Sequence, residues 1–321
     1  MDEKESILRD VSKYYYVENL TQAQIAHRLG ISRPKVSRLL ADARDKGIVK
    51  VFITDLEENM GQMEDKLLSL FNLRKAKIVP VPPTDQSLAF QITCKEAAKY
   101  ITDLIEDDDR IGVGWGGTLF EISKNLQHLS LKNSMVVQLF GNLDTGEADD
   151  YANDIVSQFA LKLDSKSSHI IPCPVIVGNQ IILDILMHDE KVSQSIKLAK
   201  SCNKMIINIG LPTEDNCLYK GGYINDEDLK RLNSQNCAGC LGCRFYDDDG
   251  NICDESLNNR TIGVSVEDIK NAKSVIACAI GTHKSRALLA ALKADFLDVI
   301  IVDSNTAAQV IGMAEAEKFT K

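Results

Sequence analysis

Two short stretches of this chain combine a strand end, glycines and a helix start in the way that phosphate binding requires. The first is Ile111-Gly112-Val113-Gly114-Trp115-Gly116-Gly117-Thr118. Glycines let backbone N–H groups approach an anion closely, and a helix N-terminus adds orphan donors and a favourable dipole, with the Thr118 hydroxyl as a further donor. Gly114, Gly116, Gly117 and Thr118 are therefore candidate effector-binding residues. The second stretch is Ala277-Cys278-Ala279-Ile280-Gly281-Thr282-His283-Lys284, again strand, glycine turn and helix start. Lys284 is placed there to point a cation toward whatever the turn holds. Two such turns on one sheet favour a phosphorylated small molecule, where either alone could be a tight crossover.

A different chemistry is written near the N-terminus, in Gln22 to Ala41, QAQIAHRLGISRPKVSRLLA. Ile25, Ala26 and Leu29 make one helix face, Gly30 a corner, and Ile31, Val36, Leu39 and Leu40 the facing stripe of a second helix. Ala26 is small where two helices must touch, and Gly30 tolerates the positive φ of the corner. Ser32 sits where an N-cap belongs and Pro34 in the first turn, where a missing N–H costs little. Opposite the buried stripe lie Arg33, Lys35, Ser37 and Arg38. With Ser32 they are the candidate contacts to the phosphates and base edges of double-stranded operator DNA.

Charge separates the two chemistries. From Thr21 to Ile53 seven Lys or Arg stand against Asp42 and Asp45, a net +5, whereas the whole chain is −9 and everything outside that window is −14. A basic head on an acidic body draws the head alone to DNA. Upstream, Ile7, Leu8, Val11, Tyr14, Tyr15 and Leu20 recur at helical spacing and predict a first helix over about Lys4 to Val17. Downstream, Lys46 to Ile53 reads as a helix end, a turn at Gly47 and a β-branched strand, the wing of a winged helix.

The remaining elements must position the glycine turns. Met60, Met63, Leu67, Leu70, Phe71 and Leu73 recur at threes and fours, so 55–74 is an amphipathic linker helix that packs on its own body or, the preferred reading, pairs with a second copy to read two half-sites. Beyond it, strands are predicted at Ala76–Val81, Arg110–Val113, Met135–Leu139, His169–Ile171, Lys204–Ile209, Ser274–Ala279 and Val299–Val302. Helices are predicted over Leu88–Ile105, Leu119–Leu126, Asn153–Leu163, Lys191–Lys200, Lys284–Leu292 and Asn305–Met313. That alternation predicts a Rossmann-like α/β domain with a parallel sheet covered on both faces and ligands at the carboxyl ends of its strands. The organisation expected is a helical head at 1–54 (winged helix-turn-helix), the linker at 55–74 and an effector domain at 75–321. No apolar run approaches a membrane span, and MDEKESILRD is too polar for a signal peptide, so a cytoplasmic protein with no membrane contact is expected. The nine cysteines are an odd number in a chain without an export signal and are expected as reduced, buried thiols.

The succession of head, linker, GVGWGGTL, LFGNL at Leu139–Leu143, IIPCPVIV at Ile170–Val177, CRFYDDDG at Cys243–Gly250 and AIGTHKSRALLAAL at Ala279–Leu292 resembles the SorC family of bacterial sugar-responsive transcriptional regulators over essentially the whole chain. The resemblance implies an effector domain related to sugar-phosphate isomerases and deaminases, a phosphosugar effector, and a homo-oligomer, dimer or tetramer. Carried over by motif, the phosphate lies on Gly114, Gly116, Gly117 and Thr118, with Lys284 reaching the ligand and Asn142, Asn153 and Asp247 as hydroxyl partners.

Two alternatives remain open. A sugar-phosphate isomerase or deaminase would need a carboxylate and usually a positioned histidine. LFGNLDTGE offers Asp144 and Glu147, but no histidine lies beside a motif carboxylate, and Gly210-Leu211-Pro212-Thr213 lacks the Asp-Gly-His of hexosamine-phosphate deaminases. No catalytic residue and no cofactor are therefore assigned. Cys237, Cys240 and Cys243 form a C-x2-C-x2-C run, flanked by Cys217 and Cys253, that could hold zinc or an iron–sulfur cluster and make the regulator metal- or redox-responsive. Ordinary thiols are preferred, and no metal ligand is assigned.

Overall fold

The structure is a computed structural model that describes residues 3–49, 57–143 and 151–319. It divides into two compact units, Met1–Asp55 and Leu56–Lys321.

The head contains α1 (Glu3–Tyr16), α2 (Gln22–Leu29) and α3 (Arg33–Asp45). Thr21 opens α2 with a reciprocal capping box to Gln24, and Gly30 ends it at φ +63, donating its N–H to Ala26. Ser32 caps α3, its hydroxyl accepting from Lys35 N–H at 3.4 Å, with Pro34 in the first turn. Val11, Ile25, Ala26, Val36 and Leu40 are buried together at the centre. Burying a few branched side chains at about 1.5–3 kcal/mol each is what holds so small a unit together. Gly47 has the left-handed φ of +69 expected of a cap, while the wing strand expected next falls on 50–53, outside the described residues.

The larger unit begins with α4 (Glu57–Leu70). Its Met60 and Leu67 are buried in the body's own core, with Met63 and Leu70 packed against it, and Glu64 accepts the Ile78 N–H at 2.8 Å. The stripe expected to pair with a second copy is thus occupied within the chain; the apolar run of the first strand is adjacent in sequence and covers it first.

Among the described residues nine strands follow: β1 (Lys75–Val79), β2 (Arg110–Val113), β3 (Met135–Gln138), β4 (Ser167–His169), β5 (Lys204–Gly210), β6 (Gly239–Leu241), β7 (Arg244–Tyr246), β8 (Ser274–Ala279) and β9 (Val299–Asp303). Seven run parallel in the order β1-β9-β8-β5-β2-β3-β4. Their runs of Val, Ile and Ala are buried almost throughout, as helices on both faces require. The chain moves outward from β2 to β4, then returns to lay β5 on the other side of β2. That reversal opens a crevice at the carboxyl ends of β2 and β5, the place where such sheets bind ligands.

Two features depart from the expected pattern. β4 ends at His169 rather than Ile171, because the Ile171 N–H donates to the Gln138 side chain and the following Pro172 has no N–H for a ladder. The hairpin β6–β7 is antiparallel and hangs from the end of β5, pairing Cys240 with Gly210. Its turn demands glycine: Gly242 has φ +60, and a Cβ there would lie 2.2 Å from the Phe140 ring.

Candidate functional site

β2 delivers the first glycine turn to the crevice. Gly114 N–H donates to Ile206 O of β5 at 2.9 Å, locking the turn to the neighbouring strand. Gly116 has φ +126, and a Cβ there would meet the Asn208 amide at 2.9 Å, so two strand ends close up only because this residue has no side chain. The helix Gly117–Asn125 then starts without a side-chain cap, which leaves its first N–H groups available to an anion. Gly117 is exposed, with nothing within 4 Å of where a Cβ would stand. Trp115 turns inward, its indole N–H donating to Gly141 O at 3.2 Å, and so ties the turn to the end of β3.

β8 supplies the opposite side. Gly281 N–H donates to the buried Asp303 carboxylate at 2.8 Å, and the same carboxylate accepts from Thr306 N–H and hydroxyl. A single turn of 3-10 helix, Thr282–Lys284, leads into the helix Ser285–Lys293. Lys284 is half-buried. Burial holds its ammonium below the ordinary lysine range, and the groups that partly offset this are the thiols of Cys278, Cys240, Cys94 and Cys217, with no carboxylate among them. Next to it, the buried Ser285 hydroxyl has no hydrogen-bond partner among the described residues. His283 is held below the ordinary histidine range by burial and then by Lys284.

Cys94 connects the two turns. Its thiol reaches the Thr118 carbonyl at 4.0 Å, and it is near enough to Lys284 and Cys278 for their charges to be felt. Gly114, Gly116, Gly117 and Thr118 follow β2 and Lys284 follows β8, the two strands that flank β5, so both turns stand at carboxyl ends on the same side of the sheet order. Asn142 adjoins the first turn through the Trp115–Gly141 link; its side-chain oxygen accepts from Gln138 at 2.9 Å, leaving the amide N–H groups for another acceptor. Asn153 lies half-buried near the start of the helix Tyr151–Lys162. Asp247 stands apart. Its carboxylate accepts from the N–H groups of Asp249 and Asn251 and from the Asn251 amide, within its own turn. Burial pushes its pKa up, but these hydrogen bonds together bring it below the usual carboxylate range.

Sequence reasoning passed over Asn208. It sits at the end of β5 against Gly116, and the signal was present: one polar residue in the apolar run Met205-Ile206-Ile207-Asn208-Ile209. Asp144 and Glu147, the carboxylates weighed for an enzyme, lie outside the described residues. The three cysteines of the C-x2-C-x2-C run do not converge. Cys240 points against Gly210 and Asn216, Cys243 occupies the hairpin turn, and Cys237 turns toward Cys253. Among the described residues no three His, Cys, Asp or Glu are grouped to hold a metal ion. The hairpin alternation that sends neighbouring side chains to opposite faces defeats the metal spacing.

In the head, Ser32, Arg33, Lys35, Ser37 and Arg38 are all exposed. Ser32 is occupied as the cap, whereas Arg33, Lys35 and Arg38 have no ion pair among the described residues. Arg28, by contrast, is held by Glu18 at 3.0 Å and over the Tyr14 ring. Arg33, Lys35 and Arg38 lie on the outward face of α3, the second helix of the pair; Lys13, Arg44 and Lys46 likewise make no ion pair among the described residues.

Comparison with known proteins agrees with both halves. Residues 57–312 match the Sugar-bind family of sugar-binding domains, and residues 7–46 match region 4 of sigma-70. The chain is 30% identical to the deoxyribonucleoside regulator of Bacillus subtilis over 96% of this chain and 98% of that one. It is 26% identical to the sorbitol operon regulator of Klebsiella pneumoniae, over 92% and 95%. The crystal structure of the full-length sorbitol operon regulator SorC from the same species superimposes with a TM-score of 0.74 at 25% identity, covering 97% of this chain and 99% of that one. A DeoR family regulator from Listeria monocytogenes gives a TM-score of 0.73 at 26% identity, over 78% and 99%.

Proposed function

We propose, for a chain that belongs to the SorC family of sugar-binding bacterial transcriptional regulators, that a phosphorylated sugar or a closely related phosphorylated metabolite controls its hold on operator DNA. The helix-turn-helix head and the sugar-binding domain make it a DNA-binding regulator; the phosphate and the residues that take it are our reading. One observation carries that reading. Lys284 is a half-buried cation that makes no ion pair among the described residues, and Cys94, which touches the Thr118 carbonyl, also feels its charge, so it stands near the turn where an uncapped helix offers N–H groups. An anion such as a phosphate would satisfy both at once. Asn208, Asn142 and Asn153 supply amides suited to the sugar hydroxyls.

The head reads DNA through Arg33, Lys35, Ser37 and Arg38. We place the protein in the cytoplasm, where sugar phosphates and DNA coexist, and as a homo-oligomer, because one head reads only a few base pairs. Among the described residues no helix is long and apolar enough to cross a membrane. The relatives are named regulators, and we infer binding without turnover.

The test is a thermal-shift screen over phosphorylated pentoses, hexoses and polyols, each beside its unphosphorylated counterpart, followed by operator binding with each hit. Stabilisation and altered operator affinity by phosphorylated compounds alone are expected. Equal response to the unphosphorylated sugars would overturn the phosphate reading, and rapid conversion of a hit without operator binding would overturn the regulator reading of the site.

A further inference from the structure

Neither the DNA head nor the effector crevice uses Cys237 and Cys253. Cys237 follows the helix Asp226–Ser234, its N–H donating to Leu232 O at 3.1 Å, and the next residue, Ala238, donates to Tyr246 O at 2.8 Å. On the other side of β7, Cys253 N–H donates to Phe245 O at 2.9 Å. Gln235 clasps both segments: its carbonyl receives the Cys253 thiol at 3.9 Å, and its side-chain oxygen accepts the Asp254 N–H at 2.6 Å. These contacts lay 235–237 beside 253–254. The Cys237 thiol donates to Gly239 O at 3.4 Å and the Cys253 thiol to Gln235 O, and each thiol shifts the other's titration, which sets the two near each other.

We propose that Cys237 and Cys253 are a dithiol site that closes to an intrachain disulfide on meeting a peroxide-class oxidant. In the first step the sulfur of Cys253 attacks one peroxide oxygen; the O–O bond breaks, water leaves and Cys253 becomes a sulfenic acid. In the second, the sulfur of Cys237 attacks that sulfur; the S–O bond breaks, a second water leaves and the S–S bond forms. Two thiols give up two electrons and two protons, and one hydrogen peroxide becomes two waters. A dithiol reductant reverses the change. Cys253 attacks first because it follows the exposed turn through Asp248, Asp249 and Asn251; burial raises its pKa, the Asp247 and Asp254 carboxylates add to this, and Cys237 and Arg286 offset only part of it. Both thiols are buried, and burial pushes both upward, so closure is slow at neutral pH and quickens as pH rises. The bond would fasten the two ends of the segment that carries β6–β7, the hairpin seated on the end of β5 beside the crevice.

The experiment uses the full chain, incubated with hydrogen peroxide under denaturant-free conditions, then alkylated and mapped. The expected product is lighter by about 2 Da, its free thiols fall by two from nine, a peptide joins Cys237 to Cys253, and dithiothreitol restores all three readings. Cys240→Ser should still close; Cys253→Ser should not. A treated wild type that keeps all its thiols, or a map that joins Cys217 to Cys240 instead, overturns the proposal. The wild-type map decides the matter even if Cys253→Ser fails to fold. The result is independent of the effector, since no sugar phosphate enters the assay.

Discussion

Replacing Lys284 by Met removes a charge while keeping most of the length and the apolar stem. Two opposite effects follow. In the free protein, burial holds the lysine below its ordinary 10.5. A lysine depressed in the folded state binds its proton less tightly there than in the unfolded chain, so it costs stability below its folded pKa, and the cost fades as pH climbs toward 10.5. Lys284→Met should therefore melt at or above the wild-type temperature at pH 7, with the difference shrinking at higher pH. In the complex the sign reverses. A phosphate deprived of a desolvated cationic partner loses about 2–5 kcal/mol, roughly 30-fold to several thousand-fold in Kd. A ligand at about 100 times its wild-type Kd stabilises the wild type by about 2.7 kcal/mol, and at the lower bound of that loss it would stabilise the variant by less than about 1 kcal/mol. Calorimetric titration and thermal shift against the same phosphosugar measure both. Wild-type affinity in the variant would refute the anion cradle, and a clear drop in the free protein's melting temperature would refute the desolvation argument.

Three further perturbations separate the parts. Arg38→Ala, at an exposed side chain with no ion pair, should weaken operator binding by about 1–3 kcal/mol if Arg38 grips a base with both nitrogens, leaving the melting temperature unchanged; fluorescence anisotropy at fixed salt reads it, and unaltered affinity strikes Arg38 from the interface. Gly117→Val fills open space and Thr118→Val removes a hydroxyl at nearly constant shape, so each should abolish the ligand-induced shift while preserving DNA affinity; a normal shift in both removes that turn from the site. Gly242→Ala combines a left-handed backbone with a clash into Phe140 and should cost about 2–4 kcal/mol in urea unfolding; an unmoved midpoint would mean that the hairpin does not pack there.

The central parallel strands were legible because they are buried on both faces and rich in apolar, β-branched residues, whereas the edge strand β4, Ser-Ser-His with no buried residue, was placed too late in the chain. Arg110–Val113 and Ser274–Ala279 are found with the bounds expected. The helix Gln180–His188 was missed for the converse reason. Its polar stripe, Gln180, Asp184 and His188, is one residue wide in an otherwise apolar QIILDILMH, and none of its residues is buried, so the run read as featureless. The hairpin β6–β7 escaped because three-residue strands are too short to show alternation, and its cysteines invited a metal reading that only the side-chain directions dismiss. Of the site we propose, the glycines and Lys284 stand in stretches whose strand–turn–helix order the sequence displays and the structure contains. Asn208 showed only as a polar residue in an apolar run; that it meets Gly116 depends on β5 returning beside β2, a neighbourhood created by topology rather than by sequence distance.

Trp115 is the chain's single tryptophan, and it is enclosed between Gly114 and Gly116 with its N–H held by the Gly141 carbonyl. One chromophore thus stands inside the glycine turn that we propose as the anion site. Its ultraviolet emission comes from a single environment, undiluted by other indoles, so colour and quenching of that light can follow occupancy of the crevice in real time without any dye or tag.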